Sequence, residues 1–135
     1  MSDFTRLKNG ILGFVIGDAM GVPLEFTERK KEKVIDMLEY GSHNMPKGSW
    51  SDDSSMVIAT MQSIIDNKGI ICYEDIMNNF ILWVEKGKFT SNNKTFGVGS
   101  TTSKALRNYY YREEFIICKN PIMCGIDNFN DNGNG

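Results

Sequence analysis

The sequence predicts an all-α protein, and three observations predict it. Apolar residues recur at three- and four-residue spacing in several separate segments. No segment alternates apolar and polar residues with the two-residue period of a half-buried strand. Clusters of Gly, Asn, Ser and Pro fall between the periodic segments, where helices need stops and turns.

Residues 4–21 form the first predicted helix, with Leu7, Ile11, Phe14 and Val15 at helical spacing. Gly10, Gly13, Gly17 and Gly21 are three or four apart and share one face. Each interior Gly costs a helix about 1 kcal/mol against Ala, so four on one side require a reason. Either another helix approaches closely there, or a ligand approaches bare backbone. Pro23 then ends the helix and opens an extended stretch from Val22 to Phe26. Residues 28–39 are predicted as a second helix, with Val34, Ile35 and Leu38 apolar and a solvated charge run from Glu28 to Lys33. Residues 41–49 gather Gly, Ser, His, Asn and Pro and read as a loop.

Residues 52–66 are the next helix, with Met56, Val57, Thr60, Met61, Ile64 and Ile65 in one stripe. Asn67-Lys68-Gly69 stops it. Residues 73–86 follow, with Ile76, Met77, Phe80, Ile81 and Val84 inward, and Lys86-Gly87 ends that helix. Residues 88–99 are polar loop. Residues 100–112 are helical, with Leu106 and Tyr109 or Tyr110 on the apolar side. Phe115 to Cys118 is a short apolar run that fits strand or helix. Residues 125–135 carry no period and read as an irregular loop or tail.

Length and composition narrow the function. A chain of 135 residues suffices for one domain with a modest core. Lys and Arg number 15 against 17 Asp and Glu, so there is no basic excess of the kind a nucleic-acid binder uses. No apolar run approaches the roughly 18 residues of a membrane span, and no charged stretch precedes an apolar leader. These features predict a soluble, cytoplasmic protein. His43 is the single histidine, which excludes multi-histidine zinc sites. Cys72, Cys118 and Cys124 form no CxxC pair and predict neither a zinc ribbon nor a disulfide framework.

Three segments could carry chemistry. Trp50-Ser51-Asp52-Asp53-Ser54-Ser55 opens the helix at 52–66. One reading is structural: Ser51 is a good N-cap, and two acids in the first turn complement the helix dipole. The other is a cation site. Adjacent helical side chains point about 100° apart, so two neighbouring carboxylates converge only at a helix end, with the cap hydroxyl as a third oxygen. Such hard ligands suit Mg²⁺ or Mn²⁺, but they leave an octahedral ion half filled. The second segment, Gly17 to Phe26, holds Asp18, which interrupts an apolar helix face as a buried cap or a hydrogen-bonded polar core residue, and Glu25, either a surface residue or a site acid. The third, Phe96-Gly97-Val98-Gly99-Ser100-Thr101-Thr102, places glycines before a helix that starts with hydroxyl residues. It is a phosphate cradle or a capped flexible loop.

Taken together and in order, GDAMGVPLEF, KGSWSDDSSM and GVGSTTSKALR resemble the ADP-ribosylglycohydrolase family, and the terminal NGNG is similar to the start of that family's next glycine-asparagine motif. The resemblance covers the whole chain but only the N-terminal part of the family's domain. It implies a truncated orthogonal helical bundle with a two-metal site at one end. It also implies Mg²⁺-dependent cleavage of the glycosidic bond between ADP-ribose and a protein side chain or small molecule. By motif position, Ser51, Asp52 and Asp53 would be metal ligands, and Glu25, Asp52 and Asp53 the catalytic group. Gly97, Gly99, Ser100 and Thr101 would line the ADP-ribose site, with Gly133, Asn134 and Gly135 near its phosphates. Ser51 stands where the family usually has Thr, and Gly97 where some members carry Asp. The family's C-terminal Asp-x-Asp-Ser/Thr motif has no counterpart here, so this chain supplies half of a two-ion Mg²⁺ or Mn²⁺ site. The resemblance therefore implies a weak or inactive hydrolase unless a second chain completes the site. The alternative is a non-catalytic ADP-ribose-binding or structural remnant of the fold.

Overall fold

The computed structural model describes residues 2–28, 33–115 and 120–125. The described chain is helical, with no strand or sheet. No helix in it is long and apolar enough to cross a membrane.

Helix α1 spans Asp3–Gly21, and Ser2 caps it by accepting the Thr5 N–H at 3.3 Å. Ala19 is its one buried residue, while Phe4, Leu7, Leu12, Phe14 and Ile16 are exposed. Space beside the four-glycine face is open: a Cβ on Gly10, Gly13, Gly17 or Gly21 meets nothing within 4 Å. No described helix therefore explains that face by packing on it.

Two expectations need correction just beyond α1. Val22 to Phe26 is not extended, because Val22–Leu24 winds on as a 3-10 turn with Pro23 near its start. Proline has no N–H to lose in a first turn, and its fixed φ suits one. The predicted helix over 28–39 is absent from the described residues 33–39, while residues 29–32 lie outside them. Asp36 shows one cause: its side chain accepts its neighbour's N–H, that of Met37, at 2.8 Å and the Lys47 ammonium at 2.6 Å. Local side-chain bonding of this type competes with a helical ladder.

The loop over 41–49 is tied down in its first half. Tyr40 N–H donates to the Met45 carbonyl at 2.7 Å, and the Ser42 hydroxyl donates to the Val22 carbonyl at 3.1 Å. Gly41 lies so close to the Pro23 backbone that any Cβ would collide with it, so only glycine fits there.

Helices α2 (Asp52–Asp66) and α3 (Tyr73–Lys86) form the main packed pair. The buried face of α2 is not the predicted apolar stripe. It is Ser55, Ala59 and Ser63, joined by Ser54, while Met56, Val57, Thr60, Met61 and Ile64 are half-buried and Ile65 is exposed. Small residues let α3 approach until the Asn79 amide reaches the Ala59 carbonyl at 3.2 Å. On α3 the buried residues are Asn79 and Trp83, with Val84 exposed. Both helix stops are as predicted: Lys68 and Gly69 turn left-handed after α2, and Gly87 does so after α3.

Helix α4 covers Ser100–Tyr110, and a short α5, Arg112–Phe115, follows a break at Tyr111. The break falls earlier than predicted, and there the Arg112 guanidinium turns back onto the Tyr109 carbonyl at 2.9 Å. Leu106 and Tyr109 are buried, and Tyr110 is exposed. Tyr109 hydrogen-bonds Asn78 at 2.7 Å, and Arg112 lies over its ring at 4.0 Å, fixing α4 on α3. The apolar run at 115–118 and the tail at 125–135 fall almost wholly outside the described residues.

Candidate functional site

Asp18, near the end of α1, organises the site. Its carboxylate accepts the Ser51 N–H at 3.0 and 3.2 Å and the Ser54 N–H at 3.1 Å. Those donors belong to the orphan amides that begin every helix. The Ser51 hydroxyl accepts a third, from Asp53, at 3.3 Å. The start of α2 is thus capped twice, by its own serine and by an acid from α1. The capping reading of Ser51 holds, and Asp18 is the hydrogen-bonded polar residue its position on an apolar face implied.

That double cap sets the direction of the two acids that follow. Asp52 is half-buried, and the 96–99 loop covers it. The Gly99 N–H hydrogen-bonds its carboxylate, and a Cβ on Gly97 would sit 3.1 Å from its Oδ1. Gly97 also has φ +74°, a left-handed conformation that glycine adopts freely. Burial first, and then the Asp53 charge, raise the Asp52 carboxyl above the ordinary carboxylate range. Asp53 is raised too, by burial and then by the charges of Asp18 and Glu25. Asp18 and Glu25 thus act by charge on Asp53, and Asp53 on Asp52, at one end of α2.

Glu25 enters from the turn after Val22–Leu24, and its Oε2 lies 2.6 Å from His43 Nε2. Trp50 anchors the other side, its indole N–H donating to the Phe89 carbonyl at 3.1 Å. Gly99 is the N-cap of α4 and makes no side-chain cap bond, and Ser100 and Thr101 follow in the first turn. The structure thus gathers Glu25, Ser51, Asp52, Asp53, Gly97 and Gly99, with Ser100 and Thr101 adjoining. Gly133, Asn134 and Gly135 lie outside the described residues. A cleft of about 480 Å³ opens beside Asp53, lined by Phe14, Met56, Val57, Thr60, Met61 and Phe80.

The donors can be tested against a divalent cation. Hard oxygen ligands and surplus negative charge fit Mg²⁺ or Mn²⁺. The count does not suffice alone, since no group of three or more His, Cys, Asp or Glu among the described residues is arranged to hold an ion.

The sequence presents His43 only as the lone histidine; for Asp18 the structure realises the cap alternative, at the start of α2. No motif spacing links Glu25 to His43, 18 residues on.

Fold and site together define a helical domain that gathers carboxylates at one helix start beneath a glycine loop. The chain belongs to the ADP-ribosylglycohydrolase family, whose profile matches residues 1–135. It is 34% identical over 104 residues to an ADP-ribosylarginine hydrolase, Tri1, of Pseudomonas putida, covering 77% of this chain and 28% of that protein. The Tri1 of Serratia proteamaculans is 35% identical over 104 residues, with the same coverage. The ADP-ribosyl-[dinitrogen reductase] glycohydrolase of Rhodospirillum rubrum is 29% identical over 115 residues, covering 78% of this chain and 35% of that protein. The chain thus matches about a third or less of the length of these relatives.

Proposed function

We propose that this chain carries the N-terminal share of a Mg²⁺- or Mn²⁺-dependent ADP-ribosylglycohydrolase site. The substrate is ADP-ribose linked to a protein side chain, and the names of the relatives favour arginine as that side chain. The observation that carries the reading is the pair of adjacent acids at the doubly capped start of α2, with Asp52 lying against the Gly97–Gly99 loop.

Ser51, Asp52 and Asp53 would hold the ion. A bound divalent ion would orient the ribose hydroxyls and acidify a water. Glu25 would serve as the general acid or base of the site, holding or releasing a proton at its carboxylate. The bare backbone at Gly97 and Gly99 would let the ribose approach Asp52. The described ligands alone fall short of a full octahedral shell. A second polypeptide or further chain would supply the remainder.

Calorimetric titration of ADP-ribose, in Mg²⁺ and again in EDTA, tests this reading. Binding that requires Mg²⁺ is expected. Equal binding in EDTA would favour a non-catalytic ADP-ribose module, and no binding in either would reject the site. Gly97→Ala is expected to weaken the Mg²⁺-dependent binding about tenfold. The new methyl presses on Asp52, and an L-residue in left-handed backbone costs roughly 1–2 kcal/mol. Unchanged affinity in that variant would place the sugar elsewhere.

A further inference from the structure

We infer that His43 is a positioning residue for Glu25, a clamp that fixes the site acid and couples it to the glycine loop. The inference deepens the function proposed above and rests on it. A carboxylate only accepts hydrogen bonds, so the 2.6 Å contact requires the proton on His43 Nε2, donated to Glu25 Oε2. Glu25 is 38% exposed, whereas His43 is 17% exposed, so the histidine is the better-fixed partner.

Phe96 packs on the imidazole with centroids 5.2 Å apart and planes at 50°, and Phe26, itself 92% exposed, meets it edge-on at 5.9 Å and 62°. Phe26 directly follows Glu25, and Phe96 directly precedes Gly97. The imidazole therefore touches the neighbours of both the acid and the loop that covers Asp52. Glu25 in turn acts electrostatically on Asp53. An acid on an exposed turn would otherwise sample several rotamers, whereas proton transfer needs it within hydrogen-bond reach of the reacting atoms. The clamp leaves Glu25 Oε1 as the oxygen available for that transfer.

Because the chain has one histidine, its ring signals need no assignment. The test is a long-range ¹H–¹⁵N spectrum of the full ¹⁵N-labelled chain at pH 7, for wild type and Glu25→Ala, with and without Mg²⁺ alone. Wild type is expected to show an Nε2–H tautomer with a ring proton protected from water. Glu25→Ala is expected to lose that protection, and Mg²⁺ to shift the ring signals only when Glu25 is present. A ring proton exchanging freely in wild type, or identical spectra in Glu25→Ala, would overturn the clamp.

A second readout separates positioning from mere support. His43→Phe keeps a ring between Phe26 and Phe96 but removes the donor, and is expected to weaken Mg²⁺-dependent ADP-ribose binding about tenfold, as for one lost charge-assisted bond. His43→Gln restores a donor and is expected to recover most of that loss. Equal affinity in all three proteins would overturn the inference. Spectra that show the clamp in a protein that binds no ADP-ribose would leave the clamp standing and reject the proposed function. Binding without the clamp spectrum would do the reverse.

Discussion

Asp18→Ala is expected to lower the melting temperature of the chain by on the order of 10 °C, although Asp18 is no proposed ligand. The substitution strands the N–H groups of Ser51 and Ser54, both residues buried. Each lost bond to a charged acceptor is worth about 1.5–3 kcal/mol. Removing the Asp18 charge also relieves Asp53, which offsets part of the loss. The net expectation is about 2–4 kcal/mol of destabilisation, because two stranded buried donors outweigh one relieved repulsion. Asp18→Asn keeps one acceptor and should lose roughly half as much. Thermal denaturation at pH 7 in EDTA measures both. An unchanged midpoint in Asp18→Ala would mean that Ser51 caps α2 without help from α1.

Asp53→Asn is expected to do the opposite to the metal-free chain and to abolish its response to Mg²⁺. Asp53 is raised in the folded state by burial, Asp18 and Glu25. The folded state thus binds this proton more tightly than the unfolded chain does. The associated stability is full below the ordinary Asp range and is lost as pH rises through the raised value. At pH 7 the folded chain bears the whole electrostatic penalty. Asn removes it, so the metal-free variant should melt higher than wild type at pH 7 and no higher at pH 3. Wild type should gain stability from Mg²⁺ at pH 7 and lose that gain on acidification, as protons displace the ion. A variant that melts lower at pH 7, or that keeps its Mg²⁺ response, would contradict the role given to Asp53.

The helices α1, α2 and α3 were legible because periodicity and end signals agreed. Ser51 before two acids marks a start, and Asn67-Lys68-Gly69 and Lys86-Gly87 mark stops. The 28–39 segment misled because its apolar residues are spaced for a helix, yet Asp36 binds Met37 and Lys47 instead. The buried face of α2 was hidden for a different reason. Ser55, Ala59 and Ser63 carry little hydropathy, and their burial comes with the close approach of α3, where Asn79 reaches the Ala59 carbonyl. At the site, the residue types in SDD and GVG suggested oxygen ligands and bare backbone. Their juxtaposition was not legible, since Asp52 meets Gly97 and Gly99 only once α2 and α4 are in place. Asp18 and His43 act across 33 and 18 residues of chain, and no local pattern encodes such a contact.

The acids at the start of α2 and the glycine loop would together form a cation-dependent ADP-ribose site. A thermal melt of the purified chain at pH 7, with and without Mg²⁺ plus ADP-ribose, tests it most directly. A ligand that binds the native state raises the transition by mass action. The expected result is a cooperative melt that rises with both ligands together and not with ADP-ribose in EDTA. A transition indifferent to Mg²⁺ and ADP-ribose would contradict the claim.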